Sequence, residues 1–139
     1  MRVVVGVLIA CTVVLVSYGR AVASDWSQWR GTSRDGVADG SGLPAEWPES
    51  LRRAWGKRVG AGHSSPVVHS GRVYQMSREG DREVVRGLDL ATGRELWKVG
   101  YRAKYKVEPV ARDHGAGPKS TPVLVGGRLV TFGISGILS

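Results

Sequence analysis

From Leu51 onward, short alternating and apolar runs are separated by glycine-containing turns, a pattern that is typical of β-strands joined by tight connections. The predicted extended runs are residues 54–59, 66–69, 72–77, 83–89 and 95–100. Ser70-Gly71 fits a two-residue hairpin connection, and Glu79-Gly80-Asp81 turns the chain into the next run. The pattern predicts an all-β fold in which four antiparallel strands follow one another up and down.

The turn within residues 87–97, which read GLDLATGRELW, has its own chemistry. Asp89 can accept hydrogen bonds from backbone N–H groups of the turn, Thr92 lies inside it, and Gly93 can adopt a positive φ without a Cβ clash. Trp97 supplies a large apolar surface that must be buried against something outside the hairpin. We interpret Asp89 as a structural residue of the turn, not as a catalytic base.

The spacing Leu-Asp-x-x-Thr-Gly-x-x-x-Trp over residues 88–97 resembles the signature of the PQQ-like (quinoprotein alcohol dehydrogenase-like) β-propeller repeat. That family includes quinoprotein dehydrogenases, an outer-membrane assembly lipoprotein and many exported proteins. The resemblance implies four-stranded antiparallel blades, and it implies that Trp97 docks between neighbouring blades. Cofactor binding does not follow from the repeat, because one fold serves many functions.

The chain also repeats itself. Residues 65–74, SPVVHSGRVY, recur as residues 121–130, TPVLVGGRLV, at an offset of 56 positions. We therefore expect a first blade at about 65–100, a basic insertion at 101–117 and a partial second blade at 118–139, all within a propeller region that starts at residue 51. Because one and a half blades cannot close a propeller, we expect an amino-terminal fragment of a longer protein; the alternative is a short form that another chain completes.

Residues 1–23 are typical of a secretory signal peptide, with cleavage expected after Ala23. The apolar run of residues 3–16 is shorter than the roughly 20 residues that span a bilayer as a helix. A retained membrane anchor and lipidation at Cys11 are the alternatives. Cys11 is the one cysteine of the chain, so the mature protein would have no thiol. We expect an exported protein, periplasmic or extracellular, with no stable membrane span after cleavage.

Residues 24–50 predict an irregular, tryptophan-rich arm, which we expect to pack as an ordered segment because disordered linkers rarely contain several tryptophans. Its tryptophans are Trp26, Trp29 and Trp47. Residues 25–32, DWSQWRGT, are similar to the opening of many exported propeller proteins of the same family, although Ser27 and Thr32 replace the two usual prolines.

The chain carries 20 basic and 12 acidic residues, a net charge of +8, and removal of Arg2 and Arg20 with the leader leaves +6. These charges are scattered singly, which favours an ordinary solvated surface; a polyanion of the cell envelope is the alternative partner. We expect no nucleic-acid binding from an exported chain of this kind.

Two lead-in segments, residues 60–66 and 114–122, precede the two predicted inner strands and hold the candidate site residues. His63, Ser64, His114 and Lys119 could converge at the mouth of a central channel, where a histidine could act as base or ligand and Lys119 could hold an anion. The alternative is that these residues only cap strand ends. No Gly-x-Ser-x-Gly nucleophile motif is present and the histidines lack metal-ligand spacing, so we predict no catalytic and no metal-ligating residues.

The sequence therefore favours a non-enzymatic binding or scaffold domain with an unknown ligand. One alternative is the amino-terminal part of a periplasmic quinone-dependent dehydrogenase. The family resemblance would then imply PQQ over a Ca²⁺ ion, an aspartate base and often a vicinal cysteine pair, and the chain has no such pair. Another alternative is a scaffold that resembles an outer-membrane protein assembly factor. Expected partners are other envelope proteins or the remainder of the propeller.

Overall fold

A computed structural model describes residues 25–38, 40 and 43–139. The predicted signal peptide and Cys11 lie outside the described residues. The described chain is predominantly β, as predicted, with a four-stranded antiparallel sheet in the order β1-β2-β3-β4 and a two-stranded sheet of β5 and β6. The elements are β1 (Val67–His69), β2 (Arg72–Glu79), β3 (Arg82–Asp89), β4 (Glu95–Arg102), a 3₁₀-helix (Pro109–His114), β5 (Val123–Val125) and β6 (Arg128–Val130).

Two-residue turns make the first two connections of the four-stranded sheet. Ser70 and Gly71 join β1 to β2 with φ angles of 48° and 71°, and Gly80 begins the connection to β3 with φ 60°. Both central residues of the first turn, and the first central residue of the second, have positive φ; such turns match the right-handed twist of the strands and favour glycine. The sequence therefore fixes the pairing of β1, β2 and β3 through local chemistry.

The structure differs from the sequence prediction at residues 54–59, which form no strand. This segment crosses one face of the sheet instead: Trp55 Nε1 donates to the Leu90 carbonyl at 2.9 Å, and the Ser77 hydroxyl donates to the Val59 carbonyl. Strands β2 and β4 also continue two residues beyond the predicted runs, to Glu79 and Arg102. Hydrogen bonds of the Trp55 and Ser77 side chains hold residues 54–59 in place. The alternation of apolar and polar residues along the sequence does not encode such contacts.

Strand β3 is the centre of the core. Its residues from Glu83 to Leu88 are all buried, so both faces of the sheet are covered along this strand. Val67 on β1 and Met76 on β2 are also completely buried, whereas Val99 on β4 is 61% exposed. The apolar burial that stabilises the sheet is therefore concentrated on its inner strands, and the outer strand is only half covered.

Trp97 lies across its own sheet, above its β3 partner Gly87. A Cβ at Gly87 would be only 2.5 Å from Trp97 Nε1, so this position requires the absence of a side chain. The ring is tilted by 43° against Tyr74 with the centroids 6.0 Å apart, a geometry that favours aromatic pairs. The indole thus covers the inner strands of the sheet and is itself partly exposed.

Glu83 is completely buried and links the sheet to residues near the end of the chain. The Tyr101 hydroxyl donates to Glu83 Oε2 at 2.9 Å, and the backbone N–H of Ile134 donates to Oε1 at 2.8 Å. Gly133 packs against the same carboxyl group, leaving no room for a Cβ. This buried carboxyl therefore joins the four-stranded sheet to the segment that follows β6.

We expect Tyr101 to make the free energy of unfolding fall at alkaline pH. The pKa of Tyr101 is raised from 10.0 to about 12, mainly by burial and secondly by the hydrogen bond to Glu83. The unfolded chain releases this proton first, so the stabilisation is complete below about pH 10 and is lost as the pH rises from 10 to 12. Urea unfolding at several pH values should show a shallower alkaline decline in Tyr101→Phe; equal slopes for both proteins would contradict the assignment.

The tryptophan-rich arm packs mainly through its first described residues. Trp26 exchanges backbone hydrogen bonds with Val68 of β1, and its ring leaves no space for a side chain at Gly31. Trp29 and Trp47 are instead 62% and 60% exposed. The expectation that the arm packs as a whole is therefore too broad, because two of its three tryptophans face solvent.

Candidate functional site

The two lead-in segments lie against each other in the structure. The backbone N–H of His63 donates to the Pro118 carbonyl at 2.9 Å. A Cβ at Gly117 would lie 2.5 Å from the Ala61 carbonyl oxygen, and one at Gly62 would lie 3.1 Å from Pro118 Cδ. Glycine at these two positions permits the close backbone approach that brings the segments together.

The side chains that meet here occupy equivalent positions of the sequence repeat. Lys119 Nζ lies 2.9 Å from His63 Nδ1, and the Ser65 N–H donates to Thr121 Oγ1 at 3.3 Å; each pair is separated by 56 positions. An ammonium group can only donate, so this contact requires Nδ1 of His63 to act as the acceptor. The two repeats therefore contact each other through like positions.

His114 completes a cluster with His63 and Lys119. The Lys119 ammonium donates to the His114 carbonyl and lies 3.4 Å from the Gly115 carbonyl, while the two imidazole rings stand edge to face with centroids 6.2 Å apart. All three side chains are exposed. Three of the four residues predicted from sequence are thus brought together, on a solvent-facing surface.

Ser64 is not part of this cluster. It is buried, its hydroxyl lies 3.5 Å from the Ser65 carbonyl, and its own carbonyl accepts from Gln75 Nε2 at 2.9 Å. Ser64 is buried whereas its neighbour His63 is exposed, so the two side chains lie in different environments. Through its carbonyl, Ser64 secures the lead-in segment 60–66 to Gln75 of β2.

The cluster of His63, His114 and Lys119 is made of groups that can donate hydrogen bonds. It offers an ammonium group and imidazole N–H groups, which suit a carboxylate or phosphate ligand. The three protons of Lys119 already face His63 and two carbonyl oxygens, so a ligand must share or displace these contacts. Among the residues that the structure describes, no three histidine, cysteine or acidic side chains are grouped as metal ligands would be.

The Asp89 turn has the local geometry of a structural element. Asp89 Oδ1 accepts from the Thr92 hydroxyl at 2.7 Å and from the Thr92 N–H at 2.9 Å. Both bonds lower the pKa of Asp89, and the bond from the hydroxyl has the larger effect. Gly93 adopts φ 69° and donates to the Asp89 carbonyl at 2.8 Å. One oxygen of the carboxylate is thus engaged with its own turn.

A second polar contact, between Asp25 and His69, was not found by sequence reasoning. Asp25 Oδ2 lies 2.6 Å from His69 Nδ1, and Oδ1 accepts from the Ser70 N–H at 2.9 Å. The adjoining cleft, about 240 Å³, also contains Ser27, Thr32 and residues 124–127. The two partners lie 44 positions apart in sequence with no shared motif, so the sequence carries no signal for this contact.

Comparisons with protein-family models, with curated proteins and with solved structures found no match to this chain. In the described part of the chain, no helix has the length and apolar character needed to cross a membrane. The case for function therefore depends on the geometry of the chain itself.

Proposed function

We propose that this chain is an exported PQQ-like β-propeller repeat protein that acts as a non-enzymatic binding or scaffold domain. The observation that carries this proposal is the contact between equivalent repeat positions, His63 with Lys119 and Ser65 with Thr121. Adjacent propeller blades bring like positions of their inner strands together around an axis, whereas unrelated strands have no reason to meet at a constant offset. The four-stranded up-and-down sheet has the size and order of one blade.

A binding role fits the side chains better than a catalytic one. The imidazoles of His63 and His114 are exposed at the place where the repeats meet, and the Lys119 ammonium beside them would share its present contacts with a ligand. The candidate residues include no nucleophile with a paired base, and Asp89 is engaged with its own turn. An anionic group on a ligand or partner protein is the chemistry that this cluster can recognise.

An assay with PQQ separates this role from that of a quinone-dependent dehydrogenase. We expect no reduction of an electron-accepting dye when the purified chain is given PQQ, Ca²⁺ and an alcohol. Reduction that requires both the protein and the quinone would overturn the non-enzymatic role.

A pull-down from envelope extract tests the cluster as a binding site. The double variant His63→Ala/Lys119→Met should lose the captured partner, whereas Arg72→Gln, an exposed change on β2, should retain it. A partner that both variants retain would remove the cluster from the proposed binding site.

A scaffold that resembles an outer-membrane assembly factor is the second candidate, and the exposed outer strand β4 favours it. Val99 on β4 is 61% exposed, and within the described residues β4 pairs only with β3. A free strand edge beside apolar side chains can accept an extended segment of another protein. A photoreactive residue placed at position 99 should cross-link to outer-membrane proteins. The same residue at exposed position 94 is the control, and equal cross-linking from both positions would contradict this role.

A further inference from the structure

Residues 52–58, here called the basic loop, read RRAWGKR and contain four cations and no acidic residue. The charged side chains Arg52, Arg53, Lys57 and Arg58 are all exposed. The expectation that the basic charges are scattered singly is therefore wrong for this segment, although the basic residues elsewhere in the chain are more dispersed. Such a concentration of positive charge lies outside the His63 cluster and has no part in the function proposed above.

The basic loop is held in place at its centre. Trp55 Nε1 donates to the Leu90 carbonyl at 2.9 Å, and the indole lies directly against Gly93. A Cβ at Gly93 would be 2.6 Å from Trp55 Cδ2, so the absence of a side chain there allows the indole to approach. Trp55 thus fixes the loop to the turn between β3 and β4, and the flanking cations project from an anchored segment.

Residues 53–58 of the anchored loop line a shallow, open depression of about 510 Å³. Arg53, Lys57 and Arg58 therefore surround a single concave surface. Lys57 Nζ lies 3.8 Å from Glu95 Oε2, but the same oxygen also lies 3.4 Å from the buried Arg86. The Glu95 charge is shared between two cations, which leaves the depression positive.

We propose that the basic loop binds the phosphate groups of a linear polyanion. Guanidinium groups present paired N–H donors that match phosphate oxygens, and an ammonium group adds a compact third charge. A concave surface favours a flexible phosphate chain that can enter it over the flat array of headgroups on a lipid membrane. The nearby Trp55 anchor reduces the ordering that binding requires, because the loop is already shaped.

Binding of labelled long-chain inorganic polyphosphate, followed by fluorescence anisotropy on the full chain, tests this inference. The double variant Arg53→Gln/Arg58→Gln should bind at least about tenfold more weakly, since two charge-assisted contacts are lost. The matched control Arg72→Gln/Arg128→Gln removes the same charge from exposed sites on β2 and β6 and should change affinity less than about twofold. Equal losses in both variants would show binding to general surface charge and overturn the site.

Two further measurements complete the test. Trp55→Phe keeps the charge but removes the bond to Leu90, so it should weaken polyphosphate binding while the chain stays folded by circular dichroism; unchanged affinity would overturn the role of the anchored shape. Vesicles of phosphatidylglycerol are the competing occupant. Tight binding to these vesicles without binding to polyphosphate would overturn the inference in favour of a lipid surface.

Discussion

Trp97→Ala should lower the free energy of unfolding by about 3 kcal/mol, at the lower end of the range for removal of a large aromatic side chain because part of the ring is exposed. The substitution removes the indole ring, which covers Gly87 and Tyr74. It also leaves a gap that the sheet cannot fill, since Gly87 has no side chain to occupy it. Urea unfolding monitored by circular dichroism measures the change.

Trp47→Ala is the matched control for this substitution. Trp47 is 60% exposed, so its removal should change the free energy of unfolding by no more than about 0.5 kcal/mol. A similar, small effect for both variants would mean that the indole of Trp97 contributes no packing energy to the sheet.

Glu83→Ala should destabilise the chain by about 2 kcal/mol, because it leaves two partly buried donors without an acceptor, each at the lower end of the range of about 1–3 kcal/mol for buried groups. Those donors are the Tyr101 hydroxyl and the Ile134 N–H. Glu83→Gln keeps one acceptor oxygen in nearly the same volume and should cost about half as much. The comparison uses denaturant unfolding, and an Ala variant as stable as the Gln variant would show that the carboxyl group does not join the two parts of the chain.

Local chemistry explains why much of the sheet could be predicted from sequence. Turn residues such as Gly71, Gly80 and Gly93 limit the connection geometry, and alternating runs between them leave few other pairings. The segment at residues 54–59 was predicted as an extended run for the same reason. Its actual course depends on Trp55 and Val59 bonding to distant parts of the sheet, and alternation contains no information about such partners.

The candidate residues were grouped from sequence because the propeller resemblance places both lead-in segments at the mouth of one channel. The structure brings His63 and Lys119 together, but the sequence did not predict this particular contact. Glu83 was not predicted as a buried group, since a glutamate in an alternating strand normally indicates an exposed face. The Asp25–His69 contact was also missed, because it joins the irregular arm to β1 and neither side chain belongs to a periodic pattern.

The position of the arm has a consequence for the order in which the chain folds. Trp26 bonds to Val68, and Ser27 accepts from the N–H of Leu124, so this short segment joins equivalent positions of both repeats. Contacts across such long stretches of sequence form slowly, since the intervening chain must first become ordered. The earliest described residues to leave the ribosome are therefore expected to be among the last to reach their native neighbours, and amide exchange should be faster at Trp26 than along β3.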